Sequence, residues 1–96
     1  MNDIETMKGL HLLTVGGAGA VALKDGKLVW VVAIDKRNVF HGTTELPPGV
    51  SAGSIVALAC DRMTITLVTK TGEVHVFSRN IRGWVAHASL FEENRS

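Results

Sequence analysis

Cysteine occurs once in these 96 residues, proline twice and tyrosine not at all. A single cysteine excludes an intramolecular disulfide framework and favours a reducing compartment. Charge is also sparse: Asp, Glu, Lys and Arg make up 20% of the chain and nearly cancel, leaving +1. Without a field of one sign, the chain is not expected to bind nucleic acid or an anionic membrane surface. No apolar run reaches the ~18 residues of a spanning helix. The opening MNDIETMKG is acidic and polar where a secretory leader would be basic and apolar. The expected location is the cytoplasm or a virion.

Apolar residues, by contrast, are plentiful at 46%. A compact globule of this mass keeps ~5,400 Å² of surface and buries ~64% of what its unfolded chain exposes. Such a small chain needs a larger polar share than a big one, yet its charged fraction falls below the typical ~25%. The excess apolar surface points to association.

Val, Ile and alternating Thr dominate the apolar segments, which predicts strands. Strands are expected near 10–15, 20–24, 27–34, 39–41, 54–60, 64–70, 73–78 and 83–90, with only a frayed last turn in SLFEENRS. Two hairpin turns are marked, Lys24-Asp25-Gly26-Lys27 and Lys70-Thr71-Gly72-Glu73. In each, glycine supplies a positive φ without steric cost. The Pro- and Gly-containing 45–53 reads as a linker. The chain is therefore one domain: an N-terminal arm at 1–9, a first unit at 10–44, the linker, a second unit at 54–91 and a tail at 92–96.

The two units repeat each other. LHLLTVGGAGAVALKDGKLVWVV lies over IVALACDRMTITLVTKTGEVHVFS at an offset of 45, becoming 46 before the second turn. Leu13 then meets Leu58, Gly26 meets Gly72, Leu28 meets Val74 and Trp30 meets Val76. Asn38…Gly42 echoes Asn80…Gly83. A period in the forties is the scale of a propeller blade. LVWVVAI (28–34) and SIVALA (54–59) are apolar on both faces, as strands stacked between neighbouring sheets are. The fold expected is all-β, with two antiparallel sheets resembling propeller blades. A small β-sandwich or barrel is the alternative.

SIVALACDRMTITLVTKTGEVHVFSRNIRG (54–83) resembles a repeat of the regulator of chromosome condensation family, whose members are seven-bladed propellers. The resemblance makes 56–60, 64–69 and 74–77 the successive strands, and Asn80 and Gly83 the closing Asn-x-x-Gly turn. Asn tolerates the left-handed region and bonds its own backbone, and Gly permits a sharp return. TELPPGVSAG looks like the linker into a new repeat in bacterial and phage versions. Phe77-Ser78 stands where Trp-Gly is usual, Asp61 where Gly is usual, and Val31-Val32 replaces Trp-Gly in the first unit. Guanine-nucleotide exchange needs a full seven-bladed surface and does not carry over. Two blades cannot close a ring, since propellers use ~4–8.

Candidate chemistry is thin. Gly17-x-Gly19-x-x-Ala22, with Asp35 after the next strand, imitates a dinucleotide fingerprint. That motif must open a helix, and Asp25-Gly26 leaves no room for one. His11, His41, His75 and His87 share no metal-ligand spacing. Cys60 ends an apolar strand as an inert core thiol. Ser51, Ser54 and Ser78 belong to turns or strand ends and suggest no triad. Trp30 and Trp84 could stack on a sugar, but core or interface packing suits them better.

The sequence therefore leads to a non-enzymatic, self-associating β-repeat module for protein–protein interaction, with no metal and no cofactor. Trp30, Trp84, Val56 and Val76 are its candidate interface or ligand surface. The partner expected is the chain itself, with a trimer ranked above a dimer. Two other roles compete, a phage decoration or tail subunit within a viral assembly and a small oligomeric lectin.

Overall fold

The computed structural model describes residues 10–16 and 19–91. The arm at 1–9 and the tail at 92–96, including most of the frayed turn expected there, lie outside the described residues. Eight strands form: β1 (Leu10–Val15), β2 (Gly19–Lys24), β3 (Lys27–Ala33), β4 (Val39–Thr44), β5 (Ile55–Cys60), β6 (Thr64–Thr69), β7 (Glu73–Ser78) and β8 (Gly83–Ser89). The strand expected at 39–41 runs three residues longer, because Gly42, Thr43 and Thr44 pair with Trp30, Val29 and Leu28. Among the described residues the only helical piece is a 3₁₀ turn, Ala52–Ser54.

The strands make two separate antiparallel sheets, in spatial orders β1-β2-β3-β4 and β5-β6-β7-β8. Each sheet is a simple meander, and neither closes into a barrel. The fold is thus all-β with two four-stranded sheets, as the sequence implies.

The hairpin turns follow the chemistry of their residues. Asp25 and Gly26 both have positive φ, +52° and +81°, which suits a two-residue turn whose twist matches its strands. Gly72 has φ +87°, and its N–H donates to the Thr69 carbonyl at 2.9 Å. Thr69 is the one buried polar residue in the described core, and its hydroxyl is satisfied. It bonds Thr71 Oγ1 at 3.0 Å and accepts from the Glu73 N–H at 3.1 Å. The turn after β7 departs from expectation. Its left-handed residue is Arg82, at φ +59°, whereas Asn80 and Gly83 have no positive φ. The Arg82 N–H donates to the Ser78 carbonyl at 2.8 Å, so the loop closes over five residues and the reversal falls at its last position.

Strand alternation sends one face of each sheet into a shared core. Val21, Leu23 and Leu28 of the first sheet pack on Ile55, Leu58, Ile65, Leu67 and Phe77 of the second. Leu28 and Leu67 are wholly buried. The sheets approach most closely where β1 and β2 meet β5. There Gly16 is pressed on the β5 backbone: a Cβ on it would stand 2.1 Å from the Cys60 carbonyl oxygen. Away from this seam the sheets diverge.

The outward faces are apolar too. In the first sheet, register places Val15, Ala20, Ala22, Val29, Val31, Ala33 and Val39 on the side away from the core. In the second it places Ala57, Ala59, Val68, Val74, Val76, Ala86 and Ala88 there. Val15 and Val39 are more than half exposed. Within the strands, the first face carries charge only at its turn end, through Lys24 and Lys27, and the second carries none.

Candidate functional site

Among the described residues, three places gather polar or aromatic side chains. The first is the cleft of about 600 Å³ where the sheets diverge, walled by Trp30, Phe40, Leu46, Phe77, Arg79 and Trp84. Gly42 lies opposite Trp30 in the β3–β4 ladder, and a Cβ there would meet the indole at 2.6 Å. The missing side chain is what lets the ring lie flat across β4. Its Nε1 donates to Thr44 Oγ1 at 3.1 Å, and the Arg79 guanidinium caps the ring 4.8 Å from its centroid. Arg79 also donates to the Arg62 carbonyl through Nη1. Opposite, Trp84 stands edge-on to Phe77, centroids 5.3 Å apart, and donates from Nε1 to the Glu45 carbonyl at 3.1 Å.

Both indoles therefore have their N–H groups engaged, and one ring face of Trp30 is already covered. A sugar-stacking platform needs an open face and free polar partners, so the cleft's aromatics act chiefly as packing between sheets. Arg79, Arg82 and Glu45 bring charge of both signs to the cleft.

The second place is the β7–β8 ladder beside the linker. His75 is directly opposite His87, with rings stacked at 4.6 Å, and Glu73 Oε1 lies 3.3 Å from His75 Nε2. Sequence spacing hid this group. His75 and His87 stand 12 residues apart, with no recurring ligand interval, and only the β8 register makes them neighbours. The Val85 bulge shifts that register by one. A ladder drawn back from the turn at 79–82, with one residue of slack, would have found the pair.

The third is a pair of aspartates in turns, Asp35 between β3 and β4 and Asp61 between β5 and β6. Asp35 Oδ1 accepts from the backbone N–H groups of Arg37 and Asn38 at 2.8 and 3.0 Å, and Asp61 Oδ1 accepts from Met63 and Thr64 at 2.8 Å each. Asp35's carboxyl is held below the ordinary value by the Asn38 side chain first and the Arg37 amide next. Asp61's is held down by the Met63 amide first and the Thr64 amide next. Both carboxylates are occupied in closing their own turns. Asp35 is thus a turn residue, and β2 begins at Gly19 as a strand, so the helix a dinucleotide fingerprint requires is missing there. Gly17 lies outside the described residues.

The remaining candidates are dispersed. Val56 sits half-exposed at a bulge in β5, and Val76 lies on the outer face of the second sheet. Cys60 is partly buried against the core at the end of β5. His41 lies on the outer face of the first sheet, and the side chain of His11 lies outside the described residues. Among the described residues, no helix is long and apolar enough to cross a membrane. No protein family, curated protein or solved structure matches the chain.

Proposed function

We propose that this chain is a non-enzymatic module that assembles with copies of itself, the outer face of its second sheet docking on the outer face of the next copy's first sheet. The observation that carries this reading is a correspondence between faces. Leu28 and Trp30 line the inward face of the first sheet, and their repeat counterparts, Val74 and Val76, line the outward face of the second. The two outward faces are thus the same kinds of surface that already pack on each other inside the chain. A second copy would extend that packing by one step.

A two-fold dimer would pair like with like and leave one apolar face bare on each chain. Head-to-tail contact covers both, and closes into a ring if the rotation per step permits. Three copies would place six sheets around an axis, within the ~4–8 of known propellers. Such a contact belongs to the obligate class that buries ~2,000 Å² or more. Light scattering of the purified chain over a hundredfold dilution tests the reading. A mass of three chains is expected; a folded species that stays at one chain's mass sinks it.

A further inference from the structure

We propose that Glu73, His75 and His87 form a binding site for a divalent transition metal of the zinc class. Register brings the three together: His75 faces His87 across β7–β8, and Glu73, two residues earlier on β7, projects from the same side. Glu73 Oε1 and His75 Nε2 are 3.3 Å apart, and the ligand atoms of all three lie within 4.8 Å of one another. Around a tetrahedral ion with bonds of ~2.0–2.1 Å, ligand atoms stand roughly 3.3–3.4 Å apart. The first pair already has that spacing. The third ligand has to close by about 1.5 Å at most, which exposed His87 does by turning out of its stack on His75.

His75 is the fixed member. Its side chain is 11% exposed and stands edge-on to Trp84, whose own indole is tied to the linker carbonyl. Holding one donor in place limits the ordering cost of binding. The hollow in front of the three is walled by Pro47, Pro48, Val50 and Val85, and no lysine or arginine lines it among the described residues. No fixed cation opposes a metal there.

The donor set selects the ion. Two imidazole nitrogens with one carboxylate suit Zn²⁺, Co²⁺, Ni²⁺ or Cu²⁺, whereas Ca²⁺ and Mg²⁺ require more oxygens than this group offers. Three protein ligands leave one position for water, facing the hollow beneath the linker. The site lies on the side of the second sheet turned towards the linker, away from both outer faces, so it stands or falls independently of self-assembly. It also runs against the sequence expectation of a protein without metal.

The test uses the full chain free of affinity-tag histidines and stripped with a chelator. Calorimetric titration with Zn²⁺ is expected to saturate at one ion per chain. Co²⁺ is expected to give the visible absorption bands of a four- or five-coordinate ion, while Ca²⁺ and Mg²⁺ give no saturable heat. His87→Ala, at an exposed position of the edge strand β8, lowers Zn²⁺ affinity about tenfold or more, and Glu73→Gln lowers it as well. His41→Ala, on the other sheet, leaves it unchanged. Absence of saturable Zn²⁺ binding, or binding that survives both His87→Ala and Glu73→Gln, overturns the assignment.

Discussion

The indole N–H of Trp84 donates to the backbone carbonyl of Glu45 at 3.1 Å, fastening the β8 edge to the first residue of the linker 39 positions earlier. The bond spans the two sheets at a point where they have already diverged. Trp84→Phe keeps an aromatic against Phe77 and deletes only the donor. It is expected to cost ~0.5–1.5 kcal/mol, at the lower end because the freed carbonyl can reach water. Chemical denaturation of the two proteins side by side measures the difference. A loss above ~3 kcal/mol would place the contribution in ring packing.

Glycine positions separate backbone strain from crowding. At Gly26 a Cβ meets open space, so Gly26→Ala is expected to cost only the left-handed penalty of ~1–2 kcal/mol. At Gly72 the same φ penalty adds to a contact, because a Cβ there would lie 2.3 Å from the Phe91 ring. Gly72→Ala is therefore the more damaging, and Phe91→Ala in the same chain recovers part of the loss. Equal melting temperatures for the two single variants would contradict this ranking.

Gly16→Ala is damaging for a different reason. Gly16 has no positive φ, but its Cβ would collide with the backbone of Cys60 and not with a side chain that can rotate away. The inter-sheet seam must open to admit it, and a loss of ~1–3 kcal/mol is expected, as for overpacked cores. Hydrogen exchange at β1 and β5 would locate the damage. Unchanged protection there would show that the two strands are not pressed together in solution.

Asp61 links stability to pH. Its folded-state value is lowered from 3.8 by the amides of Met63 and Thr64. The stabilisation is therefore present above that value and is lost as pH falls through the lower folded one. Asp61→Asn retains an acceptor oxygen but not the charge. The variant is expected to lose less stability than the parent between pH 5 and pH 2. Parallel acid melting curves would refute the claim.

Self-assembly by unlike faces makes a further prediction that a two-fold contact does not. Val31→Lys spoils only the outer face of the first sheet, and Val76→Lys only that of the second. Either variant alone has no partner for its remaining face and is expected to aggregate or to fail to reach the parent mass. Mixed in equal amounts, the two retain one complementary pair of faces and form a discrete species of two chains. Light scattering of the mixture is the measurement. If each variant alone makes a stable dimer, the contact is two-fold.

Much of this architecture is written locally. Alternation of Val, Ile and Thr, together with the Asp25-Gly26 and Thr71-Gly72 turns, is enough to place all eight strands, because these signals act within a few residues. Arg82 was not legible, since the position that takes the left-handed backbone depends on how many residues the Ser78–Arg82 bond encloses. The histidine pair was hidden for a related reason. A bulge at Val85 changes which side chains oppose one another, and nothing in VHVFSRNIRGWVAHA announces a bulge. The roles of Trp30 and Trp84 rest on Arg79, Thr44 and Glu45, groups from other strands or from the linker, and pairings of that range have no local signature.

The linker at 45–53 carries the chain from β4, the far edge of the first sheet, to β5, the strand seated against β1 and β2. Under head-to-tail assembly every second step around the ring makes that passage through the solvent gap between polypeptides, with no covalent path. A tandem gene that joins three copies through connectors of the same length would convert those gaps into linkers. The number of sheets would then be set by the reading frame instead of by protein concentration, and dilution would no longer take the ring apart.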